Sequence, residues 1–375
     1  MRNTVRRLVL VVMTMFLYVG LFLSHQQILV QAEQNDNVTF DTKLNNDNVK
    51  DLPVETFAFA EYYVLPKGTY YLEKNLVINK PLLIEGDFMD PVYLNLNGHS
   101  ITLTGQNTEV IRLKGTPSSG SYRMMQTTLH IYDTAGGGNI THESGFTGNG
   151  INVGRNAHLY MHGGQISGNN GNYGGGVYLF KSANLHMEGG TITNNTAYEG
   201  GGVYLEDATC NVRFSGTFQI VDNYKKGPTR TENNLYLPWG SMLDLYHSSN
   251  IDSSSTVRIT TQAKPTSTIP TEGVRLWKDR STEIYENVFV SDDNTYIIHK
   301  EGSNGYLTFN QLHSFTVHFE TNGGTQLDDK SVAPTSKVPE PTITKTGYRF
   351  DGWYTDSGFT KPYNFNNPVL SDLTL

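Results

Sequence analysis

The sequence predicts an all-β protein built around a parallel β-helix. One block of sequence occurs twice in tandem, so that Met161 recurs as Met187, and Val177 recurs as Val203, with a period of 187 − 161 = 26 positions. Short runs in which apolar and polar residues alternate follow one another from about Thr56 and end in Gly, Asn or Pro. No helical period of useful length appears. A tandem repeat of this length, made of short strands and turns, is typical of a solenoid.

The N-terminal segment 1–32 has the layout of a secretory signal. Three arginines precede an apolar run from Leu8 to Leu23, and a small residue, Ala32, stands at the expected cleavage site. This run is shorter than the ~20 residues that a membrane-spanning helix needs. We therefore expect residues 1–32 to be removed. The mature chain is then secreted or displayed on a bacterial cell surface, with no membrane segment left.

Charge and cysteine content narrow the class of partner. The chain has 28 Lys and Arg and 36 Asp and Glu, and the signal holds three of the arginines, so the mature net charge is 25 − 36 = −11. An acidic chain without a basic cluster argues against nucleic acid and anionic lipid as partners. The single cysteine, Cys210, excludes an intrachain disulfide, which suits a bacterial exterior. It alternates with apolar residues, so we expect a buried, inert thiol.

Composition then divides the mature chain. Residues 33–55 are rich in Asn, Asp and Lys and are predicted to be a flexible spacer. Residues 56–262 carry the strand pattern and are predicted to form the β-helix. Residues 263–313 begin with a Pro- and Thr-rich stretch, which predicts a linker followed by capping strands. Residues 314–375 differ in pattern and are predicted to be a separate small module.

Stacking of the repeat explains the pattern physically. Each unit would form one coil of short strands, and coils would stack at the ~4.8 Å spacing of neighbouring strands. Apolar residues of one unit then lie under their equivalents in the next, and the asparagines near 169 and 195 form a side-chain ladder at the turns. Dividing the length of this region by the tandem period predicts roughly eight coils.

The repeated phrases resemble those of a known group. GGQISGN at 163–169 followed by GGGVYL at 174–179 is similar to repeats of pectate-lyase-like β-helices on bacterial surface proteins. LNLNGHSI at 94–101 and LHIYD at 129–133 are also similar to rungs of that group. The resemblance implies a right-handed parallel β-helix. It implies little about activity, because this architecture carries lyases, hydrolases and adhesins alike.

The C-terminal module resembles another family. The run GYRFDGWY at 347–354 closely resembles the Listeria–Bacteroides repeat, the B repeat of internalin-type surface proteins. The resemblance implies a small ubiquitin-like β-grasp fold. Tyr348, Phe350 and Trp353 are expected to form its aromatic core, with a turn at Gly323-Gly324. The family pattern continues beyond Leu375, so we expect an incomplete last strand or a fragment of a longer protein.

The outward positions of the repeat supply the candidate ligand face. These residues alternate with the predicted core and include rings and charges at equivalent positions of successive coils. The candidates are Tyr160, His162, Tyr178, His186, Glu188, Tyr204 and Arg213. A plain solvated face of a stacked sheet explains the same pattern and is the favoured interpretation for the histidine face. For the tyrosines at 178 and 204, ligand binding and simple cover of the sheet are weighted equally.

Catalytic chemistry finds little support in the repeat. Hydrolysis of a glycosidic bond normally needs two carboxylates ~5–9 Å apart, whereas the outward columns align only Glu188. Loops at 116–125 and 225–232 remain as sources of further groups. No metal site, catalytic residue or cofactor is predicted.

Together these features favour a non-catalytic adhesion or display protein. Its partner would be a host or matrix glycan or protein. The alternatives are a polysaccharide-active enzyme, a lyase or glycosidase, that uses the same helix, and a purely structural surface stalk. A groove with two or more convergent carboxylates would argue for the enzyme.

Overall fold

A parallel β-helix of about seven turns occupies most of the chain, which is described by a computed structural model. The described residues are 38–57, 59–86, 89–116, 126–244, 251–262, 273–275, 287–300, 306–311, 314–333, 336–367, 369 and 372–375. The predicted all-β fold class is confirmed. The expected signal and most of the loop at 116–125 lie outside the described residues, within which no helix is long and apolar enough to cross a bilayer.

The strands of successive turns form three faces, which we call A, B and C. Face A contains Thr42–Leu44, Gly68–Leu72, Val92–Asn95, Thr128–Tyr132, His158–Met161 and the first parts of Asn184–Thr193 and Asn211–Ile220. Face B contains Leu76–Ile78, Ile101–Leu103, Asn139–His142, Gln165–Ser167 and the second parts of the same two long strands. Face C contains Ala60–Leu65, Leu82–Ile84, Ile111–Leu113, Ile151–Val153, Val177–Leu179, Val203–Leu205 and Leu235–Leu237.

The tandem repeat sets the register of the interior as predicted. Apolar residues pair with their equivalents one turn later: Leu159 with Leu185, Met161 with Met187, Ile166 with Ile192, Val177 with Val203 and Leu179 with Leu205. All of them are almost completely buried. Cys210 belongs to the same core, and burial raises the pKa of its thiol, which agrees with an inert role.

The number of turns is smaller than the predicted eight because the coils differ in length. His158 pairs with Asn184, a separation of 184 − 158 = 26 positions that equals the tandem period. Val92 and Leu129 also pair across one turn, although their separation is 129 − 92 = 37 positions. Extra residues in such a coil add length without adding a turn, so a constant period overestimates the count.

The helix begins earlier than the sequence suggested, and the predicted spacer is wrong in its second half. Thr42–Leu44 pairs in parallel with Gly68–Leu72, and the 3₁₀ helix Asn48–Asp51 places the buried Val49 against the core. Val54–Phe57 then pairs antiparallel with Ala60–Leu65. The polar composition of this segment does not indicate strands. Its few apolar residues cover the end of the stack, where most side chains face water.

A ladder of asparagine amides runs inside the turns between faces B and C. Its members Asn169, Asn195, Asn223 and Asn234 are all at most 1% exposed. Each Nδ2 donates to the next Oδ1, over 3.0, 3.0 and 2.9 Å, and the last donates to Asp292 Oδ1 over 2.6 Å. The same oxygens accept backbone N–H groups of the preceding rung. The predicted side-chain ladder is confirmed, and it satisfies polar groups that the turns bury.

The helix ends beyond the predicted boundary at 262. Thr256–Thr261 pairs with both face B and face C, and Phe289–Ser291 pairs with it in turn. A hairpin follows, Tyr296–Lys300 against Tyr306–Gln311, in the segment predicted to hold capping strands. This hairpin shares a sheet with Met242–Asp244 and Gly273–Arg275, and a second small sheet joins Thr196–Ala197, Tyr224–Lys225 and Thr231–Glu232.

The C-terminal module has its own sheet and core. Phe315–His318 pairs antiparallel with Lys330–Val332 and in parallel with Leu373–Thr374. Buried residues of this core are Val317, Phe319, Val332, Val338, Trp353, Val369 and Leu375. The expected aromatic core is therefore only partly correct, since Trp353 is buried but Tyr348 is 73% and Phe350 41% exposed. The Tyr348 N–H donates to Lys345 O and closes a turn, and the chain that follows is irregular. Tyr348 and Phe350 therefore do not lie on a strand that would direct them into the core.

Candidate ligand-binding groove

Five of the predicted site residues lie together on face A. Tyr160 pairs with His186, and His186 pairs with Arg213, so these three residues form one outward column. His162 and Glu188 stand beside that column, and their side chains meet through Nδ1 and Oε2 at 3.0 Å. The backbone register slips between Met187 and Gly189.

The rings of face A stack on one another from turn to turn. In one column the ring centroids lie 4.8 Å apart for Tyr93 and His130, 4.4 Å for His130 and Tyr160, and 4.1 Å for Tyr160 and His186. In the neighbouring column Tyr132 and His162 stack at 4.2 Å. Because each ring covers the face of the next, mainly ring edges remain open to a ligand.

Three imidazoles of face A, those of His130, His158 and His186, are held neutral. Burial, with a contribution from His162, lowers the pKa of His130 to about 4. Burial and the nearby Arg213 lower the pKa of His158 to about 4, and burial, His158 and Arg213 lower that of His186 to about 3. The hydrogen bond from His162 lowers the pKa of Glu188. Face A is therefore a close-packed layer of rings in which His130, His158 and His186 are neutral and the Glu188 carboxylate is bound to His162.

The remaining two predicted residues, Tyr178 and Tyr204, lie on face C. Their rings stack at 5.6 Å, and Tyr204 stacks on Tyr236 at 5.1 Å. The same column continues in the other direction through Asn152 to Arg112. Tyr178 is thus the point at which a regular tyrosine stack meets a rung of different chemistry.

A groove of about 880 Å³ opens at that point on face C. Its size is within the range of about 300–1,000 Å³ for small-molecule sites. Aromatic rings and amide side chains dominate its wall: Phe57, Tyr62, Tyr173, Tyr178, Phe180, Asn107, Asn149, Asn152, Asn170 and Asn172. The charged groups among its described lining residues are Glu109, Arg112 and Arg155. It collects residues from several coils, including the longer ones.

A buried charged network lies on one side of the groove. The Tyr62 hydroxyl donates to Glu109 Oε1 over 2.8 Å, and Arg112 Nε donates to the same oxygen. Burial, reinforced by the Glu109 charge, raises the pKa of Tyr62, so this phenol stays protonated. The Arg112 guanidinium also lies over the Phe57 ring, 5.4 Å from its centroid. These contacts fix the Arg112 guanidinium among the aromatic residues Phe57 and Tyr62 of the wall.

The other side of the groove is made of turns. Asn149 Nδ2 donates to the carbonyls of Tyr173 and Gly174, which fixes the turn that carries Tyr173. Arg155 lies over the Phe180 ring, 5.4 Å from its centroid. The groove therefore offers amides, two guanidinium groups and ring surfaces, but a single carboxylate among its described lining residues.

Sequence interpretation found Tyr178 but missed the network at 62, 109 and 112. Arg112 stands between the inward Ile111 and Leu113, so strand alternation alone places it outward. The sequence does not mark Arg112 as a site residue, because it lies outside the tandem block and has no equivalent there. Glu109 precedes the strand, and only the folded chain brings its carboxylate to the Tyr62 hydroxyl.

The described residues hold no cluster of three or more His, Cys, Asp or Glu side chains that suits a metal ion. The five predicted site residues on face A lie together, and ligand binding there stays a prediction. Glu232, from the second loop considered as a source of catalytic groups, forms an ion pair with Arg258 and is not part of the groove lining.

Comparison with known proteins identifies the C-terminal module. Residues 315–375 match the family model of the Listeria-Bacteroides repeat domain. This segment is a Listeria–Bacteroides repeat. The repeat is thus the small mixed sheet with Trp353 in its core.

Relatives of the chain come from Evansella cellulosilytica. A "Putative Gly-rich membrane protein" is 36% identical over 67 residues, which is 17% of this chain and 8% of the relative. A "Putative membrane protein" is 33% identical over 63 residues, which is 16% of this chain and 10% of the relative. The chain spans at most a tenth of these relatives. No solved structure matches the chain.

Proposed function

We propose that this is a secreted or surface-displayed protein that binds glycans in the face C groove without cleaving them. The observation that carries the proposal is the groove wall, which combines aromatic rings with amide and guanidinium groups. Sugars present apolar ring faces and rows of hydroxyl groups, which aromatic rings and planar polar groups complement. The protein would act as an adhesion or display protein, with the β-helix as its rigid scaffold.

The number of carboxylates in the groove favours binding over hydrolysis. A glycosidase positions two carboxylates across the scissile bond, and the described lining residues offer Glu109 alone. That carboxylate is already bound to Tyr62 and Arg112. A lyase or glycosidase therefore stands as the second candidate, and a turnover assay separates it from the first.

Placement outside the cell rests on two features. Residues 1–32 have the layout of a secretory signal, and the Listeria–Bacteroides repeat occurs in surface proteins. Two relatives carry membrane-protein names. A display protein needs a stable scaffold and an accessible site, and the stacked helix with its lateral groove supplies both.

The experiment is a glycan-array screen of residues 33–375, followed by a turnover assay on every glycan that binds. We expect saturable binding and no released product. The matched variant is Asn152→Trp, which fills the groove from an outward position between Arg112 and Tyr178 and should abolish binding. Product release would overturn the non-catalytic proposal. Equal binding by Asn152→Trp would show that the groove is not the site.

A further inference from the structure

The asparagine ladder ends at a buried histidine beside the groove. His142 is an inward-facing residue of Asn139–His142 and is 6% exposed. Its Nδ1 lies 2.8 Å from Asn169 Oδ1, and its Nε2 lies 2.6 Å from the backbone carbonyl oxygen of Thr108. Gly148 leaves room for the ring, because a Cβ there would lie 2.8 Å from Nε2. Both ring nitrogens are therefore in hydrogen-bond contact.

The orientation of the Asn169 amide decides what the ring must do. Asn169 Nδ2 faces the carbonyl oxygens of Ile140 and Ser167 and the Oδ1 of Asn195, at 3.0–3.2 Å. A flipped amide would set its oxygen against three acceptors. Asn195 Oδ1 is fixed in turn by the backbone N–H of Asn169, which donates to it over 3.1 Å. Asn169 therefore presents its oxygen to His142.

Both neighbours of the imidazole are thus acceptors that carry no hydrogen. A neutral imidazole has one N–H and would leave a lone pair facing one of the two oxygens at close range. Only the imidazolium, with both nitrogens protonated, donates to both.

The polarity of the ladder supports the same assignment. Its amide oxygens point toward His142, and its amino groups point toward the Asp292 carboxylate at the other end. Aligned dipoles favour an anion at the donor end and a cation at the acceptor end, as in a helix. The Asp292 carboxylate is the anion at the donor end, and a charged His142 is the cation at the acceptor end.

We propose that His142 is a buried imidazolium near neutral pH and that its Nε2–H holds the groove wall at Thr108. The Asn169 amide is fixed by its other contacts, so the neutral ring keeps its proton on Nδ1, and loss of the Nε2 proton releases the wall. Thr108 lines the groove next to Glu109. The relevance to ligand binding rests on the function proposed above. Binding is then supported below the pH at which His142 loses its proton and weakened above it by about tenfold, as expected for one hydrogen bond to a charged group.

Charged groups around the ring are few. Among the described segments that contact it, the loop at 107–109 contributes Glu109, whose carboxylate is bound to Tyr62 and Arg112. Glu143 follows His142 on its own strand and is exposed, and the turns at 148 and 169 contribute amides rather than charges. The two carbonyl-type acceptors are therefore the direct partners of the ring protons.

The test uses the ligand-free protein with ¹⁵N-labelled histidine, residues 33–375. Long-range ¹H–¹⁵N spectra across a pH series report how many protons each ring carries. We expect His142 to show two protonated nitrogens near neutral pH, while His130 and His186 show neutral rings. The groove wall is read at the Val110 amide, which donates to Asn149 O over 3.0 Å. Its shift should follow the His142 titration, whereas the Val203 amide, on face C but outside the groove, should not.

His142→Gln supplies the second variant, since a glutamine amide has no proton to lose in this range. In that variant the pH response of Val110 should vanish. One unprotonated nitrogen in His142 near neutral pH would overturn the assignment, and a Val110 shift that ignores the His142 titration would overturn the link to the groove. No ligand enters these measurements, so their failure would leave the glycan proposal standing, and failure of the array would leave the imidazolium standing.

Discussion

Face A and the groove on face C are built on the same helix in opposite ways. On face A successive turns place ring on ring, so that the rings of His130, Tyr160 and His186 stack on one another. In the groove the column of Arg112, Asn152 and Tyr178 changes chemistry at every rung. Regular columns use their side chains for stability, whereas a broken column leaves groups available to a ligand. In this solenoid the site is expected where the repeat fails.

Acid should break face A before it affects the groove. Unfolded histidine titrates near 6.5, and folding lowers the pKa of His130 and His158 to about 4 and of His186 to about 3. The unfolded chain therefore binds more protons between these values, so stability is present above about 6.5 and is lost as the pH falls toward 4. We expect a loss on the order of 3 kcal/mol or more, measured by urea unfolding at a series of pH values.

His186→Phe tests the cause of that loss. The phenyl ring keeps the stack with Tyr160 but cannot be protonated, so the acid-induced loss should shrink. If the variant and the parent lose stability equally, the stacked imidazoles are not the acid-sensitive element.

Cutting the asparagine ladder should be the next largest effect. Asn195→Ala removes the partner of the Asn169 side chain and leaves the carbonyls of Ile166 and Thr193 without the Nδ2 donor. Buried polar groups without partners cost about 1–3 kcal/mol each, so we expect about 3 kcal/mol lower unfolding free energy. The matched control is Asn194→Gly, because Asn194 is exposed and has a φ of 54° that glycine accepts. Equal effects of the two substitutions would contradict a structural ladder.

Removing one member of the groove network should cost less than cutting the ladder. Arg112→Leu leaves the buried Glu109 carboxylate with Tyr62 as its remaining partner. We expect a loss of about 2 kcal/mol, since the guanidinium is only partly desolvated. The double variant with Glu109→Leu should recover at least half of it, because no unpaired charge remains. Strictly additive losses in this double-mutant cycle would mean that the two side chains do not depend on each other.

The sequence predicts the regular columns of the helix well and the broken column poorly. The tandem period predicts the Leu, Met, Ile and Val pairs, the asparagine ladder and the face A column, because each member has an equivalent one turn away. It cannot predict the network of Tyr62, Glu109 and Arg112, which joins residues up to 112 − 62 = 50 positions apart outside the tandem block. The sequence does not predict the early strand at 42–44 for a related reason, since a terminal coil has few core residues.

Two tyrosines in one column provide the most direct test of the central claim. Tyr178 and Tyr204 are equivalent residues of adjacent turns, stack on each other and lie outward on face C. Tyr178 lines the groove, and Tyr204 is not among its lining residues. The substitutions Tyr178→Ala and Tyr204→Ala therefore remove the same side chain from inside and outside the site.

The measurement is the affinity of each variant for the glycan that gives the strongest array signal, by isothermal titration calorimetry. We expect Tyr178→Ala to weaken binding by about tenfold, the scale of one lost aromatic contact, and Tyr204→Ala to stay within about twofold of the parent. Thermal unfolding of the two variants should shift by similar amounts, which separates binding from stability. Equal affinity losses, or a larger loss for Tyr204→Ala, would contradict the claim that the break in the repeat forms the site.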